Sequence, residues 1–524
     1  MSAAVSFERV SFRYSDDGPN ALCDIDLQVR RGELVVLTGE SGCGKTTLTR
    51  AMNGLIPLVY QGAMEGRVVV GGKPVTEWTT GDLAATVGSV FQNPRSQFVN
   101  SDVEAEMAFG CESQGLPHEA IVERVHESVR TFGIERLLHS RVEELSGGQR
   151  QMVILTSVHA MDPDILVLDE PTAALDVASM KRLGRALAQL KSMGKTIIVS
   201  EHRLWWLSDL ADRVVVMRKG AIAGEWSAAA FGAIPIQSRS GWGLRAWRVD
   251  EMDAAGPRSF SPGGGFPASI QGERREGNSA LRARGLRISY RRRKDVIDGC
   301  DLAIPAGMAI GLVGANGAGK TTLARCLCGI QRESAGTVEL AGRALKPSQR
   351  TGSVYLVMQE PGYQLFEHTV SCELEEAKRR GSDRGAPGSL SVESLMGAFD
   401  LVDLAQRHPL SLSGGQGQRV SIAAGLLYGA RALIMDEPTS GLDYRNMAII
   451  AGQIDRLKRQ GLPICVITHD YEFLRSVCDA VIPLDRGHPS EPIPLGPDTL
   501  GRIKELLGLS AGHRAAHSRG DLHG

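Results

Sequence analysis

Gly39-Glu40-Ser41-Gly42-Cys43-Gly44-Lys45-Thr46 places glycines at the first and sixth of eight positions and ends on Lys-Thr. The pattern returns as Gly314-Ala315-Asn316-Gly317-Ala318-Gly319-Lys320-Thr321. The first copy follows the short apolar run 34–38 and opens a helix-like stretch, with Thr47 next; Thr322 holds the matching place in the second. Strand before and helix after is the context that separates this motif from a chance glycine-rich turn. Glycines let successive backbone N–H groups face inward and cradle a phosphate. Lys45 and Lys320 would reach the terminal phosphates, and the Thr46 and Thr321 hydroxyls would hold a divalent cation.

A second recurring pattern fills 145–176 and 412–443. Each copy opens Leu-Ser-Gly-Gly-Gln. Ser146 and Ser413 are N-cap residues, and Gly148 and Gly415 let the backbone come close to a phosphate. Each copy then runs through an apolar strand into two acids, Asp169-Glu170 and Asp436-Glu437. Burying adjacent acids at a strand end is costly unless a cation or a proton relay uses them. Asp169 and Asp436 would hold Mg²⁺, through water; Glu170 and Glu437 would orient and deprotonate a water. Gln92 and Gln359 end short strands before a proline turn, where an amide can touch both metal and attacking water. His202 and His469 end a further apolar strand. In a parallel sheet its carboxyl end points to the same site, making each histidine a γ-phosphate contact and catalytic candidate.

The elements that must position these residues occur twice. The lysines lie 275 residues apart (320 − 45) and the glutamates 267 apart (437 − 170), so a net eight-residue deletion separates two copies of a whole domain. The expected architecture is α/β, two tandem P-loop domains, each with a mainly parallel sheet core, an antiparallel β subdomain and a helical subdomain near 117–140. The boundaries read 1–232 for the first domain, 233–279 for a flexible Gly/Pro/Ser-rich linker, 280–509 for the second domain and 510–524 for a disordered tail. With 524 residues, 42% hydrophobic and 23% charged, the composition is that of a globular chain. The net charge of −1 offers no field for nucleic acid. No apolar run approaches the ~18 residues of a membrane span, and the first residues lack a signal-peptide pattern. Membrane contact is therefore expected only through a partner. Nine cysteines show no zinc-type spacing; Cys43, inside the phosphate loop, marks a place where thiol reagents could inactivate.

Both halves resemble the nucleotide-binding domains of ABC ATPases, on a phosphate loop, a Leu-Ser-Gly-Gly-Gln signature, an Asp-Glu-Pro-Thr strand end and a terminal histidine, over about 1–230 and 281–484. The resemblance implies two head-to-tail domains sandwiching two ATP with Mg²⁺. One site is Lys45, Thr46, Gln92, Asp169, Glu170 and His202, closed by Ser413 and Gly415; the other is Lys320, Thr321, Gln359, Asp436, Glu437 and His469, closed by Ser146 and Gly148. It makes Tyr14 and Tyr290 the aromatics that stack on adenine, against the plain reading of surface strand-end aromatics. After the glutamines, the shared Gln-x-Pro-x-x-Gln turns at 92–97 and 359–364 look like those of energy-coupling-factor (ECF) importers of vitamins or metal ions. There this region receives a helix of the transmembrane T component, which works with a substrate-binding membrane subunit. Glu106 and Glu373 are then either partners of a basic residue on that helix or solvated helix acids. The place implied is the cytoplasmic face of the cell membrane. The competing function is a soluble twin-ABC ATPase acting on the ribosome or nucleic acid, against which a Gly/Pro/Ser-rich linker in place of a charged helical insertion, and the absent Cys-rich start, argue.

Overall fold

In a computed structural model of the chain, the described residues are 3–16, 18–173, 175–253, 280–290, 293–383 and 390–510, and the side chains of 290 and 293–295 fall outside the description. The strand Leu34–Gly39 is buried along its whole length. It lies in a sheet ordered Val87–Val90, Ile165–Asp169, Thr196–Ser200, Leu34–Gly39, Arg213–Arg218, with Ala221–Ser227 at the edge. All neighbours are parallel except the edge strand. Continuous apolar runs belong to such sheets because helices cover both faces. A separate antiparallel sheet joins Leu22–Arg30, Ala3–Arg13, Ala63–Val70 and Lys73–Pro74. The second half repeats the parallel order with Val354–Val357, Ala432–Asp436, Ile464–Ile467, Ala309–Val313 and Ala480–Asp485. Its antiparallel sheet joins Arg293–Ile304, Leu281–Tyr290, Ala335–Leu340 and Arg343–Ala344. Helices Val103–Ser113 and His118–Phe132 pack on Gly147–Ala160, as Val370–Asp383 and Val392–Ala398 do on Gly414–Leu427. The expected α/β class and its three-part domains are present in both halves.

Register decides what this fold does. Ser200 pairs with Leu37 on one side and with Asp169 on the other. The carboxyl ends of three parallel strands therefore finish level, which carries the Lys45 loop, the Asp169-Glu170 pair and His202 to one edge.

Residues 233–253, expected to be flexible linker, are structured. Short helices Ala228–Ala233 and Ile236–Gly241 extend the first half. Trp247 is buried edge-on to Phe231, centroids 5.1 Å apart, and Trp242 stacks on Trp226 at 5.6 Å. The segment then clasps the second half. Arg245 donates from Nη2 to Asp470 Oδ1 at 2.5 Å and from Nε to Glu472 Oε2 at 2.8 Å. All three side chains are at most 3% exposed. Tyr471 donates its hydroxyl to Asp253 Oδ1 at 2.7 Å, and Lys504 pairs with the same carboxylate. Residues 254–279 and 511–524, the rest of the expected linker and nearly all of the tail, lie outside the described residues.

Burial works against a charged Asp470, yet Arg245 and Arg203 outweigh it and hold the carboxyl at about 2. Glu472 moves up instead, because burial exceeds its share of the same guanidinium. Removing the cation alone strands two buried acids, a loss of about 3–5 kcal/mol. Arg245→Met is expected to lower the unfolding free energy by that amount at neutral pH, read as a lower urea midpoint at unchanged m. Asp470 is depressed, so its contribution is full above the ordinary carboxylate range and fades as pH falls toward about 2. The gap between variant and parent should narrow in acid.

Candidate functional site

Each phosphate loop turns into its helix through a glycine in left-handed backbone, Gly44 at φ 105° and Gly319 at φ 101°. A Cβ on Gly44 would stand 2.6 Å from the Ala21 carbonyl oxygen, so both conformation and space require glycine. Lys45 Nζ donates to the Gly39 and Glu40 carbonyls, both at 3.1 Å. Lys320 Nζ does the same to Gly314 at 2.6 Å and Ala315 at 3.0 Å. Thr321 Oγ1 donates to Asp436 Oδ2 at 3.0 Å, and the Thr46 hydroxyl near Asp169 works to lower that carboxyl. Asp169 Oδ1 is buried without a partner. Hydroxyl, carboxylate and the nearby Gln92 amide are hard oxygen donors, and this orphaned oxygen fits a divalent cation. Burial first, then Glu170, raises Asp169; burial also raises Asp436.

Glu170 and Glu437 both adopt left-handed backbone, at φ 44° and 47°. Each amide donates to the next strand, to the Ser200 and Ile467 carbonyls at 2.8 Å. The surrounding sheet enforces a conformation that costs a non-glycine residue about 1 kcal/mol or more. From there the two glutamates diverge. Glu170 accepts from Gln92 Nε2 at 2.7 Å and lies 3.2 Å from His202 Nε2. Burial pushes it up, but His202 and Lys45 outweigh burial and leave it below the usual range. Glu437 accepts from Thr468 at 2.9 Å, while His469 stands 3.7 Å away. Burial raises Glu437 to about 7 against the pull of Arg203. Burial, with Lys320, drops His469 to about 4, so that histidine is neutral at physiological pH.

The two edges meet each other. Asp443 accepts from the Ser41 amide of the first phosphate loop at 2.6 Å, and Ser440 bonds the Ala173 carbonyl. Gly441 sits against Glu170: a Cβ there would lie 3.5 Å from Oε2. On the other side Ala173, Leu175 and Arg203 of the first half line a cavity of about 320 Å³ with Lys320, Thr321, Gln359, Asp436, Glu437 and His469. Each lobe thus completes the wall of its twin's site, within one chain. These residues after each Asp-Glu pair were given no role from sequence. The signal available was their recurrence at the constant 267-residue spacing.

Other expected residues fall as follows. The Tyr14 ring is 41% exposed beside the phosphate-loop helix, its hydroxyl 3.2 Å from Thr47 Oγ1 and taking a bond from Arg50. The Tyr290 side chain lies outside the described residues. Ser146 and Ser413 cap their helices in full capping boxes with Gln149 and Gln416. Gly148 and Gly415 are also required by packing, since a Cβ would meet Ser179 Oγ at 2.1 Å and Asn446 Cγ at 2.8 Å. Glu106 and Glu373 are buried rather than solvated, at 5% and 9% exposure. Glu106 accepts the Val99 and Asn100 amides at 3.0 and 2.8 Å, and Glu373 those of Phe366 and Glu367 at 2.7 and 2.9 Å. They pin the turns that follow Gln92 and Gln359. No cluster of metal-ligating side chains beyond these and no disulfide occurs among the described residues.

With this geometry, known proteins bear directly on the chain. The ABC transporter family model matches residues 22–173 and 297–440, and the chain belongs to that family. A Treponema denticola protein, provisionally named an ABC transporter ATP-binding protein, is 38% identical over 92% of this chain and 96% of its own length. A Bacillus subtilis relative, YkoD, provisionally named for HMP/thiamine import ATP binding, is 31% identical over 92% of this chain and 89% of its own. A solved structure of ribosome-bound archaeal Pelota and ABCE1 contains a chain similar at TM-score 0.64 and 20% identity, over 96% of this chain and 81% of that one; the likeness is one of fold. The protein is an ATPase with two ABC domains that binds ATP with Mg²⁺.

Cys43 is 4% exposed and burial raises its thiol, whereas Cys372 is exposed. Thiolate, not thiol, reacts. Maleimide at neutral pH should label Cys372 first, read by peptide mass mapping, with ATP turnover unchanged after one equivalent.

Proposed function

We propose that this chain is the ATP-hydrolysing component of a membrane importer for a micronutrient, a vitamin or metal ion, working with an ECF-type T component and a substrate-binding membrane subunit at the cytoplasmic face of the membrane. The observation that carries this reading is the pair of anchored turns beside the sites. Gln97 plugs back into its own strand, accepting from the Phe91 amide at 3.0 Å and donating to the Ser89 carbonyl at 2.8 Å. Gln364 does so with Met358 at 2.8 Å and Leu356 at 2.6 Å. With Glu106 and Glu373 pinning the far ends, the turns hold apolar side chains in water: Val99 is 64% exposed, Tyr363 59% and Phe366 79%. In the second lobe the turn borders a groove of about 240 Å³ lined by Tyr355, Phe366, Glu367, Ala377 and Tyr428. A rigid apolar rim one turn from a nucleotide-site glutamine suits a partner's helix. The thiamine-import name of the 31%-identical relative agrees with this reading. No described helix is long and apolar enough to cross a membrane, so translocation falls to the partners.

In the cycle we infer, the amides of residues 39–47 and 314–322 with Lys45 and Lys320 grip the phosphates. Thr46, Gln92 and Asp169, and Thr321, Gln359 and Asp436, hold Mg²⁺, which offsets phosphate charge. Glu170 and Glu437 take a proton from the attacking water, with His202 and His469 against the γ-phosphate. Tyr14 and Tyr290 flank adenine. Ser413-Gly415 and Ser146-Gly148 close over the γ-phosphate from the opposite lobe, so ATP draws the lobes together and hydrolysis releases them.

Glu170→Gln with Glu437→Gln is expected to abolish turnover while ATP still binds; persistent hydrolysis refutes the assignment. In the single variants pH separates the sites. With Glu170→Gln, the remaining turnover should rise as pH climbs through about 7, because Glu437 must lose its proton. With Glu437→Gln, the acid limb should lie below the ordinary carboxylate range. The partner is tested by purifying the tagged chain from solubilised membranes. Phe366→Asp should lose a co-purifying polytopic membrane protein with ATPase intact, whereas co-purification with ribosomes in its place would overturn the import reading.

A further inference from the structure

The first lobe ends its histidine strand Glu201-His202-Arg203, and the second ends Thr468-His469-Asp470. Both arginine and aspartate are buried, at 5% and 4% exposure, but their surroundings differ. Asp470 is consumed by its own lobe and the clasp: Arg245 and Thr439 take its two oxygens. Arg203 is not consumed. Its amide is fixed by Glu201 Oε1 at 3.1 Å, and Nη2 donates to the Ala173 carbonyl at 3.2 Å. Nη1 is buried with no partner among the described residues. This guanidinium lies in the wall of the second lobe's nucleotide cavity, with Lys320, Thr321, Glu437 and His469 as co-lining residues.

A buried guanidinium with an idle N–H pair costs free energy unless an anion completes it. The carboxylates whose charge reaches it are Glu201, Glu437 and Asp470; their side-chain bonds go to Thr172, to Thr468, and to Arg245 and Thr439 instead of to the guanidinium. The unfilled donor borders the space where the phosphate chain of a nucleotide on Lys320 would end. His469, the histidine of this site, is neutral at physiological pH and supplies no charge there. In the first site, the position matching Arg203 is the occupied Asp470, and the histidine there sits on Glu170.

We propose that Arg203 is a trans-acting arginine of the second nucleotide site, contributed by the first lobe and contacting the terminal phosphate of ATP bound at Lys320. This rests on the assignment of that site given above. Arg203 distinguishes ATP from ADP, since only ATP carries the phosphate it would meet, and it stabilises the charge that builds there during hydrolysis. The two sites are then unequal by construction, the second depending on the first lobe's presence.

The full-length Glu170→Gln/Glu437→Gln chain provides the test, because it should retain ATP. Nucleotide binding is measured by calorimetry with and without Arg203→Ala and Arg203→Lys. The expected result is about tenfold weaker ATP binding at one of the two sites for Arg203→Ala, the size of one charge-assisted hydrogen bond, with ADP affinity unchanged and partial recovery in Arg203→Lys. Equal weakening of ATP and ADP, or no change in either, overturns the proposal. Loss of ATP binding in the Glu→Gln background itself, or hydrolysis by it, would overturn the site assignment instead. As a second readout, Arg203→Ala in the Glu170→Gln chain should lower kcat about 10²-fold. The same change in Glu437→Gln should leave turnover near that parent's value; equal losses in both backgrounds would reduce Arg203 to a structural prop.

Discussion

A carboxylate from one lobe closes on a backbone amide in the other: Asp443 accepts from Ser41 at 2.6 Å while also capping its own helix through the Asn446 amide. Asp443 is 2% exposed, and burial, which raises a carboxyl, is outweighed by His202 and the Ser41 and Asn446 bonds. The phosphate loop's amides are the groups that would cradle an anion. One of them is thus tied to the twin lobe, so the shape of the first loop depends on where the second lobe stands. Every other feature of the seam, from Ser440 on Ala173 to Arg203 in the second cavity, follows from that approach.

Two devices keep the lobes within reach of this contact. One is the parallel sheet, whose level carboxyl ends place lysine, acid pair and histidine on a single edge of each lobe. Two such edges face one another only if the lobes are inverted relative to each other. The other is the segment to residue 253, which leaves the first lobe and buries Arg245 between Asp470 and Glu472 of the second. Asp470 directly follows His469, so the clasp is anchored within one residue of the second site.

Much of this was legible in residue order. The twice-repeated loop, signature and acid pair give the domain count, the sheet class and the lysine, acid pair and histidine that share one edge of each lobe, because their spacing is set by strand and helix lengths that cannot vary independently. The clasp was not legible. Its Gly- and Ser-rich composition looks like linker, and the value of Arg245 depends on acids 225 and 227 residues away. The reading of Glu106 and Glu373 as solvated acids fails for a related reason. Helical periodicity marks a surface acid, but the turn before each helix folds back over it and exchanges water for backbone amides. Arg203 was visible only as a departure of one copy from the other. Its meaning came from the cavity it borders, which belongs to the opposite half of the chain.

The departures between the copies share a direction. In the first site Glu170 is kept charged by His202 and Lys45 of its own lobe, against burial and the nearby Asp443. In the second Glu437 sits near neutrality, its histidine is uncharged and 3.7 Å off, and the nearest uncommitted cation comes from across the seam. A site that borrows a cation works only when the lobes are close, since an ion contact in a cavity of low dielectric falls steeply once water enters. Fusing the two domains in one chain fixes which lobe lends to which. Two identical domains could not encode that choice, because a symmetric pair would present the same residue to both sites. Duplication followed by divergence at single positions such as Arg203 and Asp470 is the route by which one chain makes its two sites unequal.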